Sequence, residues 1–252
     1  MEKATAGFWN KIKARWYRKG LEYSNFASTA LPVILTRAPG ADSFLDVGSG
    51  CGTLAIPLAK KGKRVTALDP SPAMIEILKE DIKKEGLKNI KPVLAAWGDV
   101  PVEPHDAVIC ANVPALLKES TGFLEDAVVT AKKAVFLIES AGPYSDKFFY
   151  KELYPLIFGR PFGQRIDYLK TYNELHAMGV FANVEIIEYD FDQPFDSLEE
   201  ALIFWKEYMG IVTEEHDADL GAFLEKRLVR KGEVLLAKFH KKAAVIWWRT
   251  DK

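Results

Sequence analysis

The sequence has few cysteines, no long apolar run and no apolar leader, and each shortage excludes a class of protein. Only Cys51 and Cys110 occur among 252 residues, and neither belongs to a CxxC or Cys/His cluster. This argues against a disulfide framework and a structural zinc site, so we expect no metal. The longest apolar run, Ala243 to Trp248, is far shorter than the roughly 20 residues that span a bilayer. The first ten residues carry no secretory h-region. We therefore expect a soluble, cytoplasmic protein with no membrane partner.

Excess charge is also absent. The 34 Lys and Arg residues nearly balance the 35 Asp and Glu residues, for a formal net charge of −1. Affinity for nucleic acid comes largely from many phosphate contacts, so this balance argues against broad adhesion to RNA or DNA. Hydrophobic residues make up 48% of the chain, which is ordinary for a globular protein. The length favours one elaborated domain over residues 1–252.

What the sequence does contain is an alternation of short apolar strands and amphipathic helices over residues 41–140. The predicted strands are 43–47, 63–68, 92–96, 107–111 and 134–139, and the predicted helices are 53–61, 70–85 and 116–131. Such an alternation indicates an α/β fold, with a mostly parallel sheet covered by helices on both faces.

The regions outside this core are predicted to be mainly helical. Residues 1–40 form an N-terminal helical lid, and residues 141–180 and 192–231 form helical insertions on the substrate side. A strand over 181–189 separates the insertions. Residues 232–252 are predicted as a C-terminal hairpin, in which 234–239 pairs with 244–248 across Lys241 and Lys242.

Aromatic residues are concentrated outside the core. Only Trp97, Phe123 and Phe136 occur between residues 45 and 143, whereas residues 8–26 hold six aromatics and residues 144–172 hold nine. One interpretation is an aromatic-lined substrate chamber roofed by these two segments. The alternative is that helices docking on a sheet need bulky residues to fill the interface.

A glycine-rich turn follows the first predicted strand. Residues 44–53 read Phe-Leu-Asp-Val-Gly-Ser-Gly-Cys-Gly-Thr. Alternate glycines let the backbone approach a ligand closely, and the next helix start offers N–H groups to a carboxylate or phosphate. A dinucleotide fingerprint needs glycine where Thr53 stands, which disfavours a nicotinamide-dependent oxidoreductase. The Gly-Lys-Ser/Thr sequence of a P-loop is also missing. The run over residues 44–53 closely resembles the first motif of class I S-adenosylmethionine-dependent methyltransferases.

This resemblance implies a Rossmann-like sheet of seven strands with the last antiparallel, and S-adenosyl-L-methionine as cofactor. Asp69 ends the second predicted strand, where a carboxylate can accept from both ribose hydroxyls, as in the family. Residues 69–74 also look like the family's usual continuation. The implied cofactor-binding residues of these two motifs are Asp46, Gly48, Ser49, Gly50, Gly52, Asp69 and Pro70.

The adenine contact allows two registers. If Gly98-Asp99 matches the family's Gly-Asp, Asp99 accepts from the adenine amino group; if Asp99-Val100-Pro101 matches a later part of the segment, Ala96 and Trp97 make the contact. Asn112 follows the fourth strand and is a candidate to bind the methionine part or the substrate.

Two further features bear on the binding site. Tyr17 and Tyr23 are candidates to close over the cofactor from the N-terminal helices. The run Asn112-Val113-Pro114-Ala115 departs from the Asn/Asp-Pro-Pro-aromatic motif of enzymes that methylate adenine or glutamine amino groups. This departure argues against those acceptors.

Methyl transfer from a sulfonium is an in-line displacement, in which positioning supplies most of the acceleration. A general base is needed only if the acceptor is protonated. Glu139, at the tip of the fifth strand, and Tyr144 are the candidate catalytic residues. We expect methyl transfer to a small-molecule acceptor. The alternatives are a protein or RNA methyltransferase and a cofactor-binding scaffold subunit without activity.

Overall fold

The computed structural model describes residues 8–117, 122–142, 146, 148–163 and 167–251. Two helices, α1 (Lys11–Leu21) and α2 (Phe26–Arg37), come first. The core follows: β1 (Ser43–Val47), α3 (Ala55–Lys60), β2 (Arg64–Asp69), α4 (Pro72–Lys84), β3 (Ile90–Leu94), β4 (His105–Ala111), α5 (Phe123–Thr130) and β5 (Ala131–Ser140).

The C-terminal half adds four helices and five strands among the described residues. They are α6 (Tyr150–Phe158), α7 (Leu169–Ala177), β6 (Asn183–Asp190), β7 (Gln193–Phe195), α8 (Leu198–Met209), α9 (Asp217–Arg227), β8 (Val229–Lys231), β9 (Val234–Ala237) and β10 (His240–Arg249). No helix of the described residues is both long and apolar enough to cross a membrane.

The main sheet has seven strands in the order β3-β2-β1-β4-β5-β10-β6. Strands β1 to β5 pair in parallel, and β10 is antiparallel to both of its neighbours. This confirms the predicted α/β class and the mostly parallel sheet with helices on both faces. Because the carboxyl ends of β1, β2 and β4 lie side by side, the turns that follow them meet at one edge of the sheet.

The predicted C-terminal hairpin is wrong as a pairing of 234–239 with 244–248. Instead β9 pairs with β7 and β8 in a separate three-stranded sheet, and β10 pairs with β5 and β6 in the main sheet. Lys241 and Lys242 are not a turn but lie in β10, opposite Tyr189 and Glu188. The sequence pattern around the two lysines suits a turn, but Lys242 is accommodated in the strand because its Nζ lies 2.5 Å from a Glu188 carboxylate oxygen.

Two core elements are displaced from their predictions. The third strand ends at Leu94 rather than residue 96, and it contains Pro92, which is tolerated because β3 is an edge strand of the sheet. The helix predicted over 116–131 is shorter, because α5 begins only at Phe123, after Gly122 in the left-handed conformation. The insertion 192–231, predicted as helical, also contains β7 and β8.

Aliphatic side chains cover the two faces of the main sheet. The first face packs against α2, α3 and α4, with Phe44, Leu58 and Ile109 fully buried. The second face packs against α5 and α7, with Val108, Leu137 and Leu175 fully buried.

A third core, here called the aromatic cluster, joins α6, α8 and α9 to the small sheet. About half of its members are aromatic residues, and Phe195, Phe204 and Trp205 are fully buried. These rings pack on one another, with Phe204 and Trp205 5.0 Å apart. Trp16, Phe148 and Tyr150, which belong to the aromatic-rich segments 8–26 and 144–172, are buried in this cluster. Of the two interpretations of those segments, the structure therefore supports interface filling for these three residues.

Candidate active site

The glycine turn after β1 folds back onto the end of β2. The N–H groups of Gly48 and Ser49 both donate to the Leu68 carbonyl, at 2.8 and 3.0 Å. Gly48 has φ +71°, and a Cβ added there would lie 2.3 Å from Cγ2 of Val113, in the turn after β4. Position 48 therefore requires glycine both for its backbone conformation and for the close approach of the β4 turn.

Asp69 at the end of β2 holds this loop directly. One of its carboxylate oxygens accepts from the Gly50 N–H at 2.9 Å and the other from the Ser71 N–H at 2.8 Å. Its own carbonyl accepts from the Ala95 N–H at 3.2 Å, just after β3. Asp69 is 7% exposed. The glycine motif and the acidic residue, which the sequence places 19 residues apart, therefore form one hydrogen-bonded unit with the turn after β3.

Ser71 ends this unit by capping α4. Its Oγ accepts from the Met74 N–H at 3.3 Å, and Pro72 occupies the first helical turn, where its missing N–H is not needed. Pro70 lies between Asp69 and this cap and is partly buried. The cap explains why the chain turns sharply after β2 and keeps Asp69 at the strand tip.

Asp46, at the end of β1, is a buried carboxylate with one oxygen lacking a hydrogen-bond partner. Burial and, to a smaller extent, the charge of Asp69 together raise its pKa to about 7, while a hydrogen bond from the Ala55 backbone acts in the opposite direction. The Ser49 Oγ is also buried without a partner. An orphaned carboxylate oxygen and an orphaned hydroxyl beside a glycine loop mark a place where a ligand with polar groups would complete the hydrogen bonding.

The turn after β3 carries the candidate adenine contacts. Ala96 N–H donates to a carboxylate oxygen of Asp99 at 3.1 Å, and Asp99 N–H donates back to the Ala96 carbonyl at 3.1 Å. Trp97 Nε1 donates to Asp126 on α5 at 3.1 Å, and its ring lies edge-on to Phe123 at 5.2 Å. Asp99 is therefore used within its own turn, whereas Ala96 and Trp97 are partly buried beside the Asp69 unit.

Sequence comparison connects this geometry with known proteins. A family model described as a methyltransferase domain matches residues 44–131, from β1 into β5. Residues 44–131 therefore carry a methyltransferase domain of the class I S-adenosylmethionine-dependent type. Its cofactor is S-adenosylmethionine, and the confirmed sheet is the Rossmann-like sheet that the glycine motif implied.

The individual relatives differ in how much of the chain they cover and in how similar they are. An uncharacterized protein of Haemophilus influenzae is 29% identical over 214 residues, 84% of this chain and 77% of that one. A ubiquinone biosynthesis O-methyltransferase of Methylocella silvestris is 37% identical over 83 residues, only 32% of either chain. The crystal structure of a provisionally named methyltransferase from Bacillus halodurans has a TM-score of 0.53 at 19% identity, covering 89% of this chain and all of that one. The last comparison shows the shared fold alone.

The residues of this methyltransferase fit its cofactor. The orphaned oxygen of Asp46 suits a cationic amino group, and the orphaned Ser49 hydroxyl suits a carboxylate. The side-chain-free surface of Gly48 and Gly50 allows backbone N–H groups to approach a ligand. These observations agree with the amino acid part of S-adenosylmethionine lying against the loop.

The other predicted residues lie further along the same edge. Asn112 follows β4, has φ +58°, and donates its N–H to the Ile138 carbonyl of β5 at 2.8 Å. Glu139 is the next residue of β5, so the two side chains belong to neighbouring strand ends. Tyr144 lies outside the described residues.

Glu139 stands in an acidic environment that the sequence pattern did not indicate. Burial raises the pKa of Glu139, the charges of Glu174 and Asp167 raise it further, and the Thr171 hydroxyl acts against this by hydrogen bonding. Glu139 Oε1 is buried without a partner, as is one oxygen each of Asp167 and Glu174. No group of three His, Cys, Asp or Glu side chains in the described part of the chain could hold a metal ion. The spacing of Thr171 and Glu174, three residues apart on α7, is the signal that could have indicated a shared face.

The two tyrosines from the N-terminal helices differ. Tyr23 lies beside β8, with Lys231 Nζ 5.9 Å from its ring centroid. Tyr17 instead reaches the glycine loop, where its hydroxyl lies 3.1 Å from the Thr53 Oγ1. Sequence reasoning treated both as candidates, and the structure brings Tyr17, not Tyr23, to the loop.

Proposed function

We propose that this methyltransferase acts on a small-molecule acceptor that carries a protonated amine, and that Glu139 binds this group and takes its proton. The main support for this proposal is the environment of the Glu139 side chain. This side chain stands at the carboxyl end of β5, next to the turn after β4, and presents a buried oxygen without a partner. Burying an acceptor atom of this kind costs free energy unless a donor forms a hydrogen bond with it. A protonated amine is a strong donor of this kind.

The electrostatics around Glu139 support an acceptor of positive charge. Glu174 and Asp167 both act to keep Glu139 protonated, so the site holds more negative charge than its own hydrogen bonds satisfy. A cation placed there is attracted by all three carboxylates. When it arrives, it lowers the pKa of Glu139 and favours the ionised form, which is the form that can accept a proton.

On the cofactor side we assign each group of residues one part of the cofactor. Asp46, Ser49 and the loop glycines at positions 48, 50 and 52 would hold the amino acid part, because they supply the orphaned oxygens and close backbone. Asp69, with Pro70 fixing the turn that follows, would take the ribose.

For the adenine, the second register is favoured. Ala96 and Trp97 would contact the ring, and Asp99 would hold their turn, because its carboxylate is already bonded to the Ala96 N–H. Asn112, one strand away from Glu139, would lie between the cofactor and the acceptor.

The chemistry follows from this arrangement. S-adenosylmethionine supplies a methyl group on a positively charged sulfur, open to attack by a nucleophile in line with the departing sulfur. Glu139 removes the N–H proton of the bound ammonium, which frees the nitrogen lone pair for attack. The raised pKa of Glu139 makes it a stronger base than an exposed carboxylate, as general-base catalysis near neutral pH requires. The remaining acceleration comes from holding the acceptor in place.

The charge distribution of α1 supports a small acceptor over RNA. Four of its basic residues pair with acids of the same chain: Lys11 with Glu76, Lys13 with Glu207, Arg18 with Asp81, and Lys19 with Asp196. A basic helix that binds RNA needs its cations available for phosphates. Here these cations connect α1 to α4 and to the region around α8.

Isotope transfer tests the acceptor class. Labelled S-adenosylmethionine is incubated with the protein and a cell extract, and the extract is then separated into small molecules, protein and RNA. Label in the small-molecule fraction, in a product that gains its methyl group on nitrogen, is the expected result. Label confined to protein or RNA would contradict the proposal, and binding of the cofactor without any transfer would favour the scaffold alternative.

The role of Glu139 is tested with the labelled product as readout. Glu139→Gln should lower kcat by about 10²- to 10⁴-fold, the usual contribution of a positioned base, with an unchanged Kd for S-adenosylhomocysteine. The control is Glu174→Gln, which removes a charge that raises the pKa of Glu139. That variant should remain active, and the acidic limb of its pH profile should move to lower pH. Full activity of Glu139→Gln would exclude Glu139 as the base.

A further inference from the structure

Helix α1 presents two adjacent aromatic residues to two different parts of the molecule. Trp16 enters the aromatic cluster, where its Nε1 donates to Glu200 at 2.9 Å and its ring lies 5.2 Å from Phe204. Tyr17 points to the main sheet and stacks on Phe191 at 5.5 Å. One turn of α1 therefore contacts both the aromatic cluster and the main sheet.

The Tyr17 hydroxyl makes a polar contact with the glycine motif. It lies 3.1 Å from the Thr53 Oγ1, directly after Gly52. Gly52 in turn donates its N–H to the Ser49 carbonyl at 2.9 Å and accepts from the Ile56 N–H at 3.0 Å. Thr53 thus lies between the glycine loop and the start of α3. A displacement of Thr53 would therefore move the end of the loop and the start of the helix.

One side of this part of the loop borders open space. A cavity of about 280 Å³ borders Cys51, Gly52 and Thr53, and Arg18 of α1 also lines it. Residues next to open space can shift at small cost, because few contacts are lost. The hydrogen bond with the partly buried Tyr17 is then a larger share of what holds Thr53.

Helix α1 is itself firmly placed. Arg18 pairs with Asp81 of α4 at 2.6 Å, and Lys19 pairs with Glu200 at 3.3 Å. A Cβ at Gly20 would come within 2.9 Å of the Phe191 ring, so helix and ring are in close contact. The Tyr17 hydroxyl therefore extends from a firmly held helix to the partly buried Thr53 at the end of the loop.

We propose that Tyr17 is a positioning residue, whose hydroxyl holds Thr53 and so keeps the glycine loop in its binding conformation. This inference rests on the proposed role of the loop in binding the cofactor. In this proposal α1 does more than cover the site. The helix preorganises the loop, and cofactor binding depends on how α1 packs against the aromatic cluster. Preorganisation raises affinity because less ordering remains to be done on binding.

A double-mutant cycle on cofactor affinity tests this. S-adenosylhomocysteine is titrated calorimetrically into the wild-type protein, Tyr17→Phe, Thr53→Val and the double variant. Each single substitution removes one partner of a hydrogen bond, so each should weaken binding by about five- to tenfold. The double variant should be no weaker than either single variant, because the same bond is lost.

Two matched controls separate positioning from general damage. Tyr23→Phe removes a hydroxyl that does not reach the loop, and Thr53→Ser keeps the hydroxyl at position 53. Both should bind within about twofold of wild type. In addition, S-adenosylhomocysteine should slow tryptic cleavage within α1 for the wild type, and Tyr17→Phe should show little of this protection.

The outcomes distinguish the two levels of the proposal. If the wild type binds and Tyr17→Phe or Thr53→Val binds equally well, the positioning role is wrong while the cofactor site stands. The positioning role is also wrong if the losses in the double variant simply add, or if Thr53→Ser is as weak as Thr53→Val. If the wild type itself does not bind, the cofactor site and the role of Tyr17 both fall.

Discussion

The cofactor half and the aromatic cluster of this molecule are built on different physical terms. The cofactor half is a parallel sheet with aliphatic side chains on both faces, and its polar groups lie at one edge, where Asp46, Gly48 and Asp69 meet. The aromatic cluster contains closely packed rings such as Phe204 and Trp205, with isolated polar contacts. The first half is arranged to leave polar groups for a ligand, and the second is arranged to satisfy its own.

This difference shows where function is concentrated. In the cofactor half, Asp46 Oδ2, Ser49 Oγ and Glu139 Oε1 are buried without partners. In the aromatic cluster, the buried Trp205 Nε1 donates to the Phe148 carbonyl at 2.7 Å. Phe148 and Phe149 both adopt φ +59°, an unfavourable conformation for bulky residues that the surrounding packing maintains. The contacts of the cluster thus stabilise the backbone conformation at Phe148 and Phe149, and α1 connects the cluster to the glycine loop.

The largest expected effect comes from replacing Trp205 in the aromatic cluster, and it is an effect on stability rather than on cofactor binding. Trp205→Ala removes a fully buried ring and the partner of the Phe148 carbonyl, which should cost about 3–5 kcal/mol of unfolding free energy. Trp205→Phe keeps most of the ring and should cost roughly 1–3 kcal/mol, because the hydrogen bond from Nε1 to the Phe148 carbonyl is lost. Denaturant unfolding measures both losses.

The affinity of the Trp205 variants for S-adenosylhomocysteine then sharpens the comparison. Trp205→Phe leaves in place the contacts of Trp16 with Phe204 and Glu200 that hold α1, so Kd should change by no more than about twofold where the protein is fully folded. A tenfold loss of affinity in Trp205→Phe would show that the two halves cannot be separated in this way.

The two halves also differ in how well the sequence predicts them. Strand β1 was predicted to the residue, and the glycine motif and Asp69 were placed correctly at strand ends, because a strand, a turn and a helix each carry a local pattern. The pairing of β9 and β10 was wrong, because strand partners in the second half depend on contacts between distant segments. Trp16 and Glu200, for example, are 184 positions apart.

The site divides in the same way. Asp46, Gly48 and Asp69 were predicted from a glycine motif and a strand end, which carry local patterns, whereas the acidic neighbours of Glu139 come from α7 and the residues just before it, which have no motif of their own. The contact between Tyr17 and Thr53 joins two segments that no spacing rule connects. Side chains that meet only through the tertiary fold are the part that a single sequence did not supply.

A smaller effect is expected from the backbone of the loop. Gly48→Ala forces a left-handed alanine and a clash with Val113, which together should cost roughly 2–4 kcal/mol of stability. Gly50→Ala is the matched control: its φ is also positive, but the nearest atom to the added Cβ is Met74 Sδ at 3.9 Å. It should lose only about 1–2 kcal/mol. Equal losses in thermal unfolding would mean that the approach of Val113 does not matter.

The smallest effect concerns the pH dependence of stability. Because the pKa of Asp46 is raised to about 7 in the folded protein, the folded state holds a proton that the unfolded state releases near pH 4. Its contribution to stability is complete below about pH 4 and is lost as pH rises through 7. Between pH 6 and 8 the loss should be about 1 kcal/mol.

Asp46→Asn isolates this contribution, because the amide has similar shape and does not ionise. Relative to wild type, its unfolding free energy should fall less between pH 6 and 8. Its affinity for S-adenosylhomocysteine should also lack the increase that wild type shows as Asp46 ionises. Parallel stability curves for the two proteins would mean that Asp46 does not titrate in this range.

The most direct test of the account is a calorimetric titration of S-adenosylhomocysteine at pH 8 into the wild-type protein and Asp69→Ala. Asp69 is the residue that joins the glycine loop to the second strand, with bonds to Gly50 and Ser71. The account predicts saturable binding to the wild type and binding weaker by about 1.5–3 kcal/mol, or roughly ten- to a hundredfold, in the variant. No saturable heat with the wild type, or equal Kd values for the two proteins, would contradict it.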